Sequence, residues 1–282
     1  MNKAAAPPAL RPSADPSIEA PAPEALERYR AYDRLNAPYI AWQVEQFRPF
    51  LGRRILEIGC GAGSVIAQLP ECELVYGIDS DPAAVQHCAE RFRSRAECRF
   101  ETLDISQAAR GQLDELRALR FDTILCINVL EHIADDARAL QAMEHVLEPR
   151  GRLGLLVPAH PALYGPYDRL DGHLRRYTKR SLRAALAQTS LRLVRLRRFN
   201  ALGALGWWLH YRLLRRTAHG GRQFRLMNAC VPLLRRAERI VPPPFGLSLV
   251  AVLDAGHSGA WAQAPLERIS ASSTARCSRA ER

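Results

Sequence analysis

From Arg53 onward, short apolar runs alternate with stretches of helical spacing. The runs are RRILEIG, ELVYGID, CRFETLD, FDTILCIN and GRLGLLVP; the helical stretches are AAVQHCAERFRSR, DELRALR and DARALQAMEHVL. Apolar runs of this length are strands buried on both faces, and their alternation with helices predicts an α/β fold with a doubly wound parallel sheet. After Pro158 the rhythm loosens. SLRAALAQ reads as a helix, LRLVRLRRF as a strand, and FGLSLVAVL, behind three prolines, as a last strand.

The flanks have no such rhythm. Residues 1–24 are rich in Ala and Pro and are expected to be a disordered leader. Residues 25–52 have helix-like spacing interrupted at Pro38, predicting two short helices that lead into a domain over 53–255. Within that domain, 159–180 reads as an ordered loop and 201–245 as a helical insertion before the last strand. Residues 256–282 are Ser, Ala and Arg without periodicity, and a disordered tail is expected there.

Composition narrows the class. With 48% hydrophobic and 24% charged residues over 282 positions, the chain is neither mainly disordered nor fibrous. No apolar run approaches the ~20 residues of a spanning helix, and no continuous apolar segment follows Lys3 to suggest a signal peptide. The 7 cysteines are odd in number and form no C-x-x-C pair, which fits a reducing, cytoplasmic setting rather than a disulfide framework. Charge is uneven: Arg169 to Arg239 holds 18 Lys/Arg and two acids, a net of +16 against +11 for the whole chain. Such a segment suits an anionic partner, whether nucleic acid, phosphorylated substrate or membrane surface. Since only Lys3 and Lys179 are lysines, a general preference for arginine explains it equally well.

The sharpest chemical signal is ILEIGCGAGSV, where a strand ends at Ile58 and Gly59, Gly61 and Gly63 are expected to turn into a helix. Glycines there permit positive φ and close approach of a ligand, and a helix N-terminus favours an anion. A dinucleotide turn, G-x-G-x-x-G/A, would need its third glycine at Ser64. The spacing is instead G-x-G-x-G with Glu57 two residues ahead, and Asp79 closes the next strand, placed to accept ribose hydroxyls.

At these residues the chain resembles the class I S-adenosylmethionine-dependent methyltransferases. The resemblance implies a Rossmann-like seven-stranded sheet of order 3-2-1-4-5-7-6 with the last strand antiparallel. It implies S-adenosylmethionine as cofactor, held by Glu57, Gly59, Cys60, Gly61, Gly63, Asp79, Ser80, Asp104, Ile105 and Asn128. In this family Asp104 would meet the adenine amine and Asn128 the methionine moiety. Some subgroups bind magnesium through E-x-x-E-H at the fourth strand; here Asn128 replaces the first Glu ahead of Glu131 and His132, so no metal is expected.

Catalytic candidates are His132, His160 and His173, since an imidazole titrating near neutrality can remove a proton. His132 reads equally well as a packed or capping residue. The loop 159–180 follows the fifth strand, where open α/β sheets place their ligands. Tyr164, Tyr167, Arg175, Arg176 and Tyr177 are its candidate acceptor contacts, and DGHLRRYTKRSL resembles the H-x-R-x-Y/F-T pattern of a bacterial methyltransferase subgroup. The same residues could instead strap the loop to the sheet. In the insertion, Trp207, Trp208 and Tyr211 stand with Arg212, Arg215 and Arg216; this segment is either a lid or a peripheral contact with the inner face of a membrane.

The expected activity is therefore methyl transfer by in-line displacement to a small-molecule or lipid-linked acceptor. Two other readings stand beside it: an RNA methyltransferase using the arginine-rich half, and a non-catalytic scaffold that keeps the fold. No N/D-P-P-Y base-methylation signature is present, and DNA is not an expected partner. The sequence leaves the acceptor and the oligomeric state open.

Overall fold

In the computed structural model, residues 36–209, 221–241 and 243–256 are described. The expected leader, the tail beyond 256 and the stretch 210–220, with Tyr211, Arg212, Arg215 and Arg216, lie outside them. The helix α1 spans 36–45 and is followed by a single 3-10 turn at Arg48–Phe50. The described helix runs through Pro38, where a break was expected.

Seven strands form one sheet in the order β3-β2-β1-β4-β5-β7-β6. They are β1 (Arg54–Ile58), β2 (Leu74–Asp79), β3 (Cys98–Thr102), β4 (Phe121–Ile127), β5 (Leu147–Pro158), β6 (Arg192–Phe199) and β7 (Ser248–Asp254). The first five run parallel, and β7 is antiparallel to both β5 and β6. The helices are α2 (Pro82–Arg91), α3 (Arg110–Ala118), α4 (Asp136–Val146), α5 (Pro166–Leu170), α6 (Lys179–Leu186), α7 (Ala201–Trp207) and α8 (Gly221–Ile240). The expected doubly wound sheet and the helical insertion between the last two strands are both present.

Alternation along each strand sends side chains to two separate cores. Leu56, Ile58, Ile124 and Cys126 enter one, with Leu140 and Met143 of α4 and Leu182 of α6. Ile55, Leu125 and Ile127 enter the other, with Trp42 of α1, Cys88 of α2 and Phe199. Each fully buried aliphatic contributes about 1.5–3 kcal/mol, so a one-residue slip of β1 would exchange both cores at once. Local signals fix the helix starts: Asp81 accepts from Ala83 N–H at 2.9 Å ahead of Pro82, and Asp135 from Arg138 N–H at 2.9 Å.

Candidate functional site

The turn after β1 departs from the expected one. Gly63 leads only to a 3-10 turn at Ile66–Gln68, so this turn opens no α-helix. Gly59, Gly61 and Gly63 all adopt left-handed φ, at 74°, 49° and 72°, and Pro70 follows at once; the segment is too bent and too short for an α-helix. Gly59 and Gly63 are also forced by contact. A Cβ at Gly59 would lie 2.4 Å from Val129 Cγ2, and one at Gly63 would lie 2.4 Å from Phe92 Cε2. At Gly61 nothing lies within 4 Å, so the backbone is bare to a ligand.

The turn's N–H groups are tied to β2. Gly59 and Cys60 both donate to Ile78 O, and Gly61 N–H donates to Asp79 Oδ2 at 2.8 Å. Asp79 Oδ1 accepts from Asp81 N–H at 3.0 Å. Burial raises the Asp79 carboxyl and these N–H groups pull it back.

Beneath the turn opens a pocket of about 420 Å³, within the size range of small-molecule sites. Its lining includes Glu57, Gly59, Cys60, Gly61, Ser64, Asn128, His132, Asp171 and His173, together with Ile40 and Gln43 of α1. Glu57 is buried, its Oε2 has no hydrogen-bond partner, and burial followed by the nearby Cys60 and Asp79 raises its pKa well above the carboxylate range. Ser64 Oγ, also buried, is likewise without a partner. Gly63, Asp79, Ser80, Asp104 and Ile105 lie outside the lining. Asp79 stands directly behind Gly61, whereas Asp104 spends its carboxylate on Ser106 N–H, Ser106 Oγ and Gln107 Nε2, at 2.9, 2.7 and 2.8 Å.

At the other end of the pocket, the loop 159–180 meets the end of β4. It carries a 3-10 turn (Pro161–Leu163) and α5, and it is pinned by Leu174 N–H donating to Glu131 O at 2.9 Å. His173 lies at the centre of a charge cluster. Its Nδ1 is 3.0 Å from Asp168 Oδ1, and its Nε2 is 3.1 Å from Asp171 Oδ2 and 3.9 Å from Glu131 Oε1. Burial alone would depress the His173 imidazole, but Asp168, Asp171 and Glu131 push it up to about 9. His132, edge-on to His173 with ring centroids 4.8 Å apart, is shifted the opposite way by desolvation and by that cationic neighbour. Of the two pocket histidines, His132 is thus the one held toward its neutral form.

The remaining acceptor-contact candidates do not face the pocket. Arg176 is 5% exposed, donates from Nε to Asp168 Oδ1 at 2.8 Å, and stacks on Trp207 of α7 at 4.5 Å. Tyr177 is buried and donates to Asp136 Oδ2 at 2.8 Å. Arg175 pairs with Asp136 at 3.0 Å and donates to Ala134 O. Thr178 caps α6 through Ser181 N–H. The H-x-R-x-Y-T run is therefore a strap that docks the loop on the turn after β4 and on α4, and His173 is its one member on the pocket lining. The long reach of an arginine or tyrosine explains the difference, since these carboxylates lie on other elements.

Tyr164 donates to His173 O at 2.8 Å, and Tyr167 packs edge-on against Trp207. His160 has left-handed φ, 59°, and a buried Nε2 without a partner, but it lies outside the pocket lining. Sequence reasoning placed Asp168 and Asp171 in the acceptor loop without giving them a role, and it missed Gln43 and Ile40 on the lining. Nothing in the sequence marks them, because each is brought in by tertiary packing.

The cofactor that fits this pocket carries an ammonium and a ribose diol. Glu57, with its Oε2 unpartnered, and the bare backbone at Gly61 face that space, and Asp79 stands behind Gly61. With the strand order, they are the features of a nucleoside-binding α/β domain.

Residues 56–153 of this chain match the family described as "Methyltransferase domain". Over 124 residues it is 30% identical to the ubiquinone biosynthesis O-methyltransferase of Paracidovorax citrulli, covering 44% of this chain and 50% of that one. A namesake from Alkalilimnicola ehrlichii is 33% identical over 107 residues, 36% of this chain and 40% of that one. The chain thus spans about half the length, or less, of these curated relatives.

Among solved structures, a chain of the Haloferax volcanii complex of the Trm112 methyltransferase activator with a methyltransferase superposes with TM-score 0.54 at 14% identity, covering 84% of this chain and 98% of that one. A SAM dependent methyltransferase from Archaeoglobus fulgidus gives 0.51 at 14% identity, with 80% and 99% covered. These likenesses establish the fold. No helix among the described residues is long and apolar enough to cross a membrane.

Proposed function

We propose that this protein transfers the methyl group of S-adenosylmethionine to an oxygen of a small-molecule or lipid-linked acceptor. The observation that carries the reading is the continuity of one pocket from the glycine turn to the His132–Asp171–His173 rim. When bound, the cofactor supplies a methyl on a cationic sulfur with a neutral thioether as leaving group. In-line displacement on such a donor would join the acceptor oxygen to the methyl carbon and leave the carbon–sulfur bonding pair on sulfur. Glu57, Gly61 and Asp79 hold the donor, and Asn128 lies between it and the rim. Alignment of this kind supplies several kcal/mol of the barrier. His132, the neutral imidazole, takes the hydroxyl proton, and His173 presents a cation to an anionic part of the acceptor.

Oxygen as acceptor is supported by the relatives, which are named as O-methyltransferases. A hydrophobic acceptor, or a membrane surface beside the pocket, is supported by the exposed Leu202, Leu205, Trp208 and Leu209 on and just beyond α7, with Leu170 and Leu174 on the neighbouring loop.

The test uses purified protein, labelled S-adenosylmethionine and a cell extract, split into organic-soluble, nucleic-acid, protein and small polar fractions. Label in the organic or small polar fraction is expected. Label confined to nucleic acid would replace this reading with the RNA methyltransferase, and failure to bind the donor would leave the scaffold.

A further inference from the structure

We propose that α7, α8 and the loop beside them form a docking surface for an anionic lipid bilayer, which sets the acceptor end of the pocket against the membrane. The surface stands on side-chain exposure and charge, and only its use in delivering an acceptor rests on the methyl-transfer reading above.

Apolar exposure is confined to one part of the molecule. Among the described residues, the exposed large apolar side chains other than Val194 all lie within 170–174 and 202–245. On α8, Val231 and Leu234 pack onto the second core, and Arg235 and Arg239 pair with Glu45 of α1. Leu233, Ile240 and Val241, spaced i, i+7 and i+8, form another stripe on that helix, with Leu233 73% and Ile240 75% exposed. On α7, Gly203 and Ala204 are buried, whereas Leu202, Leu205 and, just beyond the helix, Leu209 are spaced i, i+3 and i+7 and are exposed. A helix that is apolar on a second face needs an apolar partner there.

Contacts link these stripes to the pocket. The Glu238 carboxylate, on α8, accepts from Asn200 N–H at 3.1 Å and from Ala201 N–H at 2.8 Å, where α7 begins. At the other end of α7, Trp207 donates to Leu163 O at 3.2 Å and packs against Tyr167 of α5. α5 ends at the exposed Leu170, and the exposed Leu174 adjoins His173 on the pocket lining.

Charge selects the occupant. The 18 Lys/Arg from Arg169 to Arg239 face two acids in the same stretch, and both acids are engaged, Asp171 with His173 at 3.1 Å and Glu238 with the start of α7. Arg169, beside Leu170, and Arg236, between Leu233 and Ile240, are exposed and make no salt bridge among the described residues. A second copy of the chain would set two cationic surfaces against each other, and a nucleic acid offers no apolar area to cover the leucines. An anionic bilayer matches both features, because acyl chains take the leucines and Trp208 while phosphate headgroups take the arginines. Docked in this way, the pocket receives an acceptor dissolved in the bilayer.

The test is co-sedimentation of the full-length protein with vesicles of phosphatidylcholine alone and of phosphatidylcholine and phosphatidylglycerol in equal parts. Binding to the mixed vesicles is expected to be at least about tenfold tighter than to the neutral ones and to weaken with added salt. The double variant Leu233→Asp/Ile240→Asp should lose at least about tenfold in vesicle affinity. Val194→Asp, an exposed apolar position on the edge strand β6, should leave it unchanged. Circular dichroism and S-adenosylmethionine binding are expected to be unaltered in both proteins. Should the double variant fail to fold, Leu205→Asp carries the same comparison. No sedimentation with the mixed vesicles, or sedimentation undiminished in the α8 variant, would overturn the surface. So would a wild-type dimer on size exclusion that the α8 variant converts to monomer, because the apolar face would then belong to a second copy. Donor binding is read separately, so its loss in the wild-type protein would count against the methyltransferase reading and not against the docking surface.

Discussion

The two ends of the pocket are built from different materials. The donor end is backbone: three left-handed glycines, N–H groups tied to Ile78 and Asp79, and a bare surface at Gly61. The acceptor end is side chain: Asp168 and Arg176 buried together beneath His173, with Asp136 joining Arg175 and Tyr177. Backbone conformation leaves its trace in local sequence, because only glycine tolerates positive φ without cost. A side-chain network leaves little, because its partners converge from separate elements.

If this division is right, substitutions at the two ends should separate donor affinity from loop stability. The largest expected effect is Arg176→Met. It removes a cation buried beside Asp168 and should cost about 3–5 kcal/mol in chemical denaturation, with donor affinity measured by calorimetry in native buffer held near the wild-type value. A weakening of donor binding as large as the stability loss would erase the distinction between the two ends. Next comes Gly59→Ala, where a Cβ 2.4 Å from Val129 Cγ2 adds to the strain of φ 74°. About 3 kcal/mol of stability is expected to go, and the donor affinity with it.

Asp79→Ala sharpens the contrast from the donor side. Donor affinity should fall by more than about tenfold, or ~1.4 kcal/mol, with the unfolding midpoint little changed; unchanged affinity would sink the ribose assignment. The smallest effect belongs to Tyr177→Phe, which loses one hydrogen bond to Asp136. About 1 kcal/mol of stability is expected to go, with no change in donor affinity. A Tyr177→Phe protein of normal stability that had lost turnover would instead make Tyr177 an acceptor contact.

The same division explains where reading the sequence succeeded and where it went astray. Each buried strand announced itself as an apolar run, and the observed strand bounds follow those runs closely. The turn at Gly59–Gly63 was legible as a turn, but its continuation into a helix was not realised, since three positive-φ residues and Pro70 leave too few positions for one. In the H-x-R-x-Y-T run the residue types were visible and their directions were not. Arg176 and Tyr177 turn inward to carboxylates at Asp168 and Asp136, and His173 alone reaches the pocket. Glu131 and His132 were visible as an adjacent pair, but His173 stands 41 positions away from His132.

Local sequence by itself determined the alternation of strands and helices, the glycine turn and the carboxylate at Asp79, because period, turn conformation and strand ends depend on residues close together in the chain. Tertiary structure alone decided which polar groups of the loop face the pocket and which are spent on ion pairs. That choice depends on the crossing of β4, α4 and α7 over the loop, and the desolvation of Asp168, Glu131 and Arg176 arises only when those elements meet.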